Sequence, residues 1–412
     1  MTKFETAQLA NGLQLVVHQD INTPLAAVCV TYKVGTRDEE LHRTGFAHLF
    51  EHLMFGGSKN APNFDDEIQQ AGGENNAFTN QDFTVYYQTL PLTNIETALW
   101  LEADRMADLG LNKKSLSTQQ KVVVEEFKET CLNEPYGDVW HHLSPLVYTQ
   151  HPYKIPTIGL TFEHIEQASL DDVKRFFQRF YRPNNAVLSI VGNINLATAL
   201  PLVEKWFGDI PAGENLGKNY PQEPPIKEPR RLRVKSNAPL NAIFISFLAS
   251  PRTALGYYAD DLLSDILAEG EAARLYQHLV KEQQIFTEID AYTTENVDAG
   301  LFVIEAKLAE NQTFEAAEAA IWKELDALKS EKLSAHEWQK LQNRVEHDLV
   351  FEEISINNKA INLGFYAALG DIQQINKEAD CYKRISPEFL QNYSQQLFNP
   401  QSAATLWYEK GE

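Results

Sequence analysis

Cysteine is almost absent: Cys29, Cys131 and Cys381 are the only three in 412 residues, and no two form a C-x-x-C pair. That excludes a disulfide framework and a cysteine-based zinc site, and it suits a reducing compartment. Each thiol is expected as a small hydrophobe in or beside a core. Long apolar runs are missing too, with no stretch near the ~20 residues that a membrane-spanning helix needs. Met1 to Thr6 lacks the charged-then-apolar layout of a secretory signal, which points to the cytoplasm, or to the periplasm where a signal has been removed. Basic residues are outnumbered by acidic ones, 36 to 57, for a net charge of −21. Phosphate backbones need basic patches, so this balance argues against a nucleic-acid partner. The acidic surplus serves solubility and, if it lines a cavity, favours basic peptides.

What is present suits a folded protein: 43% hydrophobic and 11% aromatic residues. The length exceeds what one core holds and predicts at least two domains. Gly12–His18 and Ala26–Tyr32 read as β-strands, as do Asn76–Thr79 and Phe83–Tyr87, and the unbroken apolar run Ala186–Gly192 reads as a central strand. Ile95–Asp108 and Ser117–Thr130 have helical spacing. Tyr220 to Pro229 carries four prolines, which continue neither a helix nor a ladder, so a stiff extended linker is expected there. Residues 230–412 repeat the first half in outline: a strand at Ala242–Phe247, then a helix from about Gly256 to Gly270. Aligning Gly270 with Gly57, an offset of 213, puts Asp261, Ser264 and Asp265 where His48, Glu51 and His52 stand.

His48-Leu49-Phe50-Glu51-His52 carries the chemistry. At 3.6 residues per turn, His48 and His52 leave a helix from one face, one turn apart, and Glu51 borders it. Two imidazoles on one face can share a metal ion, and the adjacent glutamate can serve as general base; this is the H-x-x-E-H order. The composition gives such a match by chance in about one chain in forty. The same letters also suit two surface histidines and a solvated glutamate. Gly56-Gly57-Ser58 ends the helix. A catalytic zinc takes three protein ligands and leaves a fourth position open, so another residue is needed. The candidates stand on the later helix at Glu125, Glu126 and Glu129. Val123 and Phe127 mark its buried stripe, with Glu126 beside it and the other two toward water; all three also suit a solvated face.

These segments together resemble the M16 (pitrilysin/insulinase) family of zinc metallopeptidases, and more closely its bacterial members related to the mitochondrial processing peptidase. The resemblance rests on Asn11–Leu13, Gly45–Phe55, Gly72–Thr79, Val122–Glu126, His151–Tyr153 and Tyr181–Ala186. It covers the first half fully and the second more faintly. It implies an α+β fold of two structurally similar domains, each a mixed or antiparallel sheet packed on helices, related by a pseudo-twofold repeat. Residues 1–219 would form the zinc-binding catalytic domain, 220–229 the linker, and 230–412 a repeat without metal ligands. The third ligand falls on Glu126, 74 residues after His52; Gln119, seven before it, stands where the family usually has glutamate and would support the site from behind.

The resemblance further implies one Zn²⁺ per chain on His48, His52 and Glu126. Glu51 would then act as base, with hydrolysis of peptides or unfolded, presequence-like segments as the reaction. An extended peptide would add to the strand at Asn76, Ala77 and Phe78. Active members often carry an arginine and a tyrosine seven apart in the second half. Here those positions fall on Val280 and Thr287, or on Lys281 and Glu288, according to register. No arginine after the linker has a tyrosine seven residues on. The expected partner is therefore a zinc-less homologous subunit supplying that pair. An active homodimer and a non-catalytic scaffold or peptide-binding subunit are the alternatives.

Overall fold

A computed structural model describes residues 2–236 and 238–411. Its backbone divides into two compact units. One comprises Met1–Lys128, Ile155–Asn219 and Leu349–Lys377; the other comprises Glu129–Lys154, Tyr220–Asp348 and Glu378–Glu412. Each unit thus draws a segment from the other side of the proline-rich stretch, Leu349–Lys377 for the first and Glu129–Lys154 for the second.

The first unit holds a six-stranded sheet. Its strands are β1 (Glu5–Gln8), β2 (Gln14–Gln19), β3 (Leu25–Tyr32), β4 (Glu74–Thr79), β5 (Thr84–Pro91) and β6 (Ala186–Gly192), in the order β1-β2-β6-β3-β5-β4. β2 and β6 run parallel, and every other neighbour is antiparallel. The second unit holds β7 (Arg230–Ser236), β8 (Ala242–Leu248), β9 (Phe286–Thr293), β10 (Leu301–Leu308) and β11 (Ala404–Lys410), in the order β7-β11-β8-β10-β9. Here β7 and β11 are parallel and the rest antiparallel. From β2 onward the two sheets have the same order and the same strand directions. The repeat read from one glycine alignment is therefore a repeat of topology.

Strands at the middle of each sheet are buried on both faces, which accounts for their unbroken apolar runs. In β8, Ile243, Ile245 and Phe247 enter one core while Ala242 and Phe244 enter another on the opposite face. That second core is closed by Val139, Leu143 and Val147 of the helix Val139–Val147. In the first unit, the helix Ile356–Leu369 lies across β3 and β6, where Ser189 Oγ donates to the Ala360 carbonyl at 2.6 Å. Neither cover is adjacent in sequence to the sheet it closes.

The proline-rich stretch has no helix or strand, yet it is fixed to the second unit. Ile226 is buried, and the Glu223 carboxylate accepts backbone N–H bonds from Thr149, Gln150 and His151 at 2.8, 2.8 and 2.9 Å. Burial opposes the charge on Glu223, but those three bonds hold its pKa below the usual carboxylate range.

Four helices build the site region: α1 (Phe46–Phe55), α2 (Phe64–Gln70), α3 (Ile95–Ala107) and α4 (Lys113–Phe127). α3 carries an ion pair in the core. Glu102 and Arg105 are both essentially fully buried, with Arg105 Nε donating to Glu102 Oε2 at 2.8 Å. The guanidinium is sandwiched between the rings of Phe64 and Tyr86, 4.4 and 4.3 Å from their centroids. Removing one member of such a pair strands the other charge. Arg105→Ala should therefore cost about 3–5 kcal/mol, read from the urea midpoint.

Asp260, on the helix Leu255–Ala268 of the second unit, accepts hydrogen bonds from Ser250 N–H and Tyr393 O–H, both at 2.8 Å. Burial nevertheless pushes its carboxyl up to about 7. The folded state then holds a proton that the unfolded chain, with its ordinary carboxyl, has released. This contribution to stability is complete below about pH 4 and is lost as pH rises through about 7. Thermal midpoints measured from pH 5 to 8 should fall less steeply for Asp260→Asn than for the natural chain.

Candidate metal centre

α1 is buried on most of its circumference: Phe46, Ala47, Leu49, Phe50, Leu53 and Met54 all face the core. Phe50 is stacked against Phe176 and Tyr181, with ring centroids 5.3 and 4.8 Å away. What remains open is the strip bearing His48, Glu51 and His52. His48 keeps 11% of its side chain exposed and His52 25%.

The N-terminus of α1 has no side-chain cap of its own, because Gly45 stands there with φ 85°. A side chain at Gly45 would meet the Ile158 carbonyl oxygen at 2.9 Å, so glycine is required by space as well as by dihedral. Glu39 supplies the missing cap from six residues upstream. Its carboxylate oxygens accept the Gly45 and Ala47 N–H groups, each at 2.7 Å, in a buried site. Burial pushes Glu39 up to about 8, against those hydrogen bonds. At the other end, Gly57 takes φ 94°, with the Pro62 carbonyl where a Cβ would stand. Tyr86 O–H donates to the Phe50 carbonyl at 3.0 Å, tying the middle of the helix to β5.

α4 begins at Asn112, whose side chain accepts the Lys114 and Ser115 N–H groups at 2.9 and 3.0 Å. Val123 and Phe127 are buried, Glu125 and Glu129 are exposed, and Glu125 pairs with Lys128 at 2.7 Å. Glu126 leaves from the remaining face toward α1. Its Oε1 lies 3.4 Å from His48 Nε2 and its Oε2 3.1 Å from His52 Nε2, and the two Nε2 atoms are 3.3 Å apart. Hydrogen bonding to His48, then His52, holds the Glu126 carboxyl far below the usual range.

These spacings match the chemistry of zinc. Bonds of 2.0–2.1 Å in a tetrahedron put neighbouring donor atoms about 3.3 Å apart. Two imidazole nitrogens pointed at each other and at one carboxylate form a donor set that a cation completes. His48, His52 and Glu126 are the group able to hold a metal ion among the described residues. Glu51 is half-buried beside them, with no hydrogen-bond partner among the described residues. Gln119, two turns before Glu126, lines a cavity of about 250 Å³ with Leu53 and Gly56, and makes no hydrogen bond to the three donors among the described residues.

β4 is the last strand of its sheet and packs beside α1. Asn76 and Phe78 are exposed while Ala77 rests against the core, so the strand has one open edge and alternating faces. In the second unit, Val280 is half-buried, whereas Lys281, Thr287 and Glu288 are exposed. Glu288 is paired with Lys307 at 2.8 Å.

The family to which this fold belongs follows from the sequence matches. The profile of Insulinase (Peptidase family M16) covers residues 15–159, and that of the Peptidase M16 inactive domain covers residues 167–345. The chain belongs to the M16 family. Zinc protease PqqE of Helicobacter pylori is 30% identical over 382 residues, covering 90% of this chain and 85% of that protein. The probable mitochondrial-processing peptidase subunit beta of Schizosaccharomyces pombe is 28% identical over 227 residues, 54% of this chain and 49% of that protein. Among solved structures, a protease from Helicobacter pylori aligns with a TM-score of 0.93 at 26% identity, covering 99% of this chain and all of that one. No helix among the described residues is long and apolar enough to cross a membrane.

Sequence reasoning missed Glu39. An acid six residues before a capless glycine is the available signal, and nothing local shows that the chain folds back to use it. Replacing it leaves two buried N–H groups unmet. Glu39→Ala should lower stability by about 2 kcal/mol, and Glu39→Gln, which keeps one acceptor, by roughly half as much, both read from chemical denaturation.

Proposed function

We propose that this chain is a zinc-dependent endopeptidase acting on extended peptides or unfolded segments, with His48, His52 and Glu126 as the metal ligands. The observation that carries this reading is the triangle of donor atoms, 3.1 to 3.4 Å on a side, at a half-open site. Zinc held there supplies a Lewis acid that polarises the scissile carbonyl and acidifies a water molecule. Glu51, unpaired and on the same helix strip, takes the water proton and returns it to the leaving amine. The buried seat of α1 keeps Glu51 and the two imidazoles in fixed relation. The open edge of β4 along Asn76, Ala77 and Phe78 can pair with an extended backbone once the Ala77 N–H leaves Asn76 Oδ1, which now accepts it at 2.8 Å, and such pairing reads conformation more than side-chain identity.

The positions expected for an arginine and tyrosine hold Val280 and Thr287, or Lys281 and Glu288. Neither pair supplies a guanidinium or a phenol to a tetrahedral oxyanion. This supports a zinc-bearing subunit that works with a zinc-less homologous partner; one relative is itself named as a subunit of a peptidase.

Three measurements test the reading. Purified chain should carry about one zinc, and His52→Ala or Glu126→Ala should lose it. Glu51→Gln should keep the zinc and lose turnover by a factor of about 10²–10⁴. Peptide cleavage should be weak for the chain alone and rise on adding the partner; a metal-free natural chain would leave only the scaffold alternative.

A further inference from the structure

The chain is strongly acidic, yet one cleft of its first unit is lined by four arginines, Arg43, Arg175, Arg179 and Arg182. The cavity has a volume of about 640 Å³, within the range that small-molecule sites occupy. It lies between the helix Leu170–Phe180 and the loop at 211–214.

The loop wall is built. Asn184 clamps Gly213 at both ends, its Nδ2 donating to the Gly213 carbonyl at 3.0 Å and its Oδ1 accepting the Gly213 N–H at 2.7 Å. A side chain on Gly213 would meet Arg182 Cγ at 2.7 Å, so the glycine lets the loop lie directly on Arg182.

The acids lining the cleft do not use up its cations. Asp172 alone serves both Arg43, at 2.6 Å, and Arg175. Asp38 is taken by Lys218 at 2.7 Å and by the Gly35 N–H at 3.1 Å, and Glu40 lies 3.3 Å from His42. Glu214 is exposed on the loop.

Arg179 and Arg182 have no carboxylate partner among the described residues. Arg179 lies over the Phe180 ring at 5.0 Å. Arg182 lies over Phe177 at 5.5 Å and gives only its Nε–H to the Gln178 carbonyl. Its terminal nitrogens are left without a partner among the described residues, and burial lowers its pKa with no carboxylate to offset the cost. Paired guanidinium forks with spare donors suit phosphoryl oxygens. Phe176, half-buried on the same helix, adds an apolar surface beside them.

We propose that this cleft binds a phosphorylated small molecule of nucleotide size, with its phosphoryl group on Arg179 and Arg182 and its flat body against Phe176. The cleft shares no residue with the three metal donors, and its test does not depend on peptidase activity. Isothermal titration of the full chain with ATP and with inorganic pyrophosphate, at low salt, should give saturable binding, tighter for ATP. Arg179→Ala with Arg182→Ala should weaken both by about tenfold or more. Glu214→Gln, which removes one exposed acid of the lining without touching the arginines, should tighten binding and serves if the double variant fails to fold. No saturation by ATP up to about 5 mM would overturn the proposal. So would affinity unchanged in the arginine variant, which would mark chelation elsewhere, or binding of a glutamate-rich peptide but not of either phosphate compound.

Discussion

Everything at the candidate metal centre depends on how one short helix is seated. α1 buries most of its surface, so its polar N-terminus sits in a place where water cannot satisfy it, and the Glu39 carboxylate meets that need. With both ends fixed by glycine geometry and the middle held by Tyr86, the two imidazoles have little freedom left. Preorganisation of this kind is what a metal site needs, because ligands that must be ordered on binding lose affinity.

The repeated topology gives the second unit a helix, Leu255–Ala268, after β8 as α1 follows β3, and that helix carries carboxylates where α1 carries imidazoles. The aspartates aligned with the histidines, Asp261 and Asp265, stand on a helix packed near Arg344 of the helix Ala335–Glu352. The guanidinium Nε lies 3.3 Å from Asp265 Oδ1, and the terminal nitrogen 2.8 Å from Glu269 Oε1. Tyr382 O–H donates to Asp261 at 2.7 Å. Where the first unit has two imidazoles and a carboxylate turned toward one another, the second has carboxylates gathered around Arg344. One topology thus carries a His-His-Glu group in one copy and an ion-pair network in the other. This follows from side-chain charge, not from a difference in fold.

Much of this was legible because the signals are periodic. The strands around Val16, Val28 and Val187 and the helices at Ile95 and Ser117 lie close to where alternation and 3.6-residue spacing put them. Glu126 could be ranked above Glu125 and Glu129 because Val123 and Phe127 fix which side of α4 is dry. The helices that cover the outer sheet faces were not legible. Val139–Val147 and Ile356–Leu369 carry no mark of the sheet they close, since apolar spacing shows that a face is buried but not against what. Nor does the run of prolines near Glu223 reveal that it is pinned by three backbone amides.

By itself the sequence determined that His48 and His52 share a helix face with Glu51 at its border. Helical geometry makes that true wherever the helix lies. It also determined, by what is missing, that any zinc here must be held by nitrogen and oxygen. Only the tertiary structure decided that the Glu126 carboxylate comes within 3.4 Å of both imidazoles, that Glu39 caps their helix, and that β4 leaves an edge open beside them. Those are contacts between distant segments. They depend on how buried surfaces pack together, which local residue preferences do not encode.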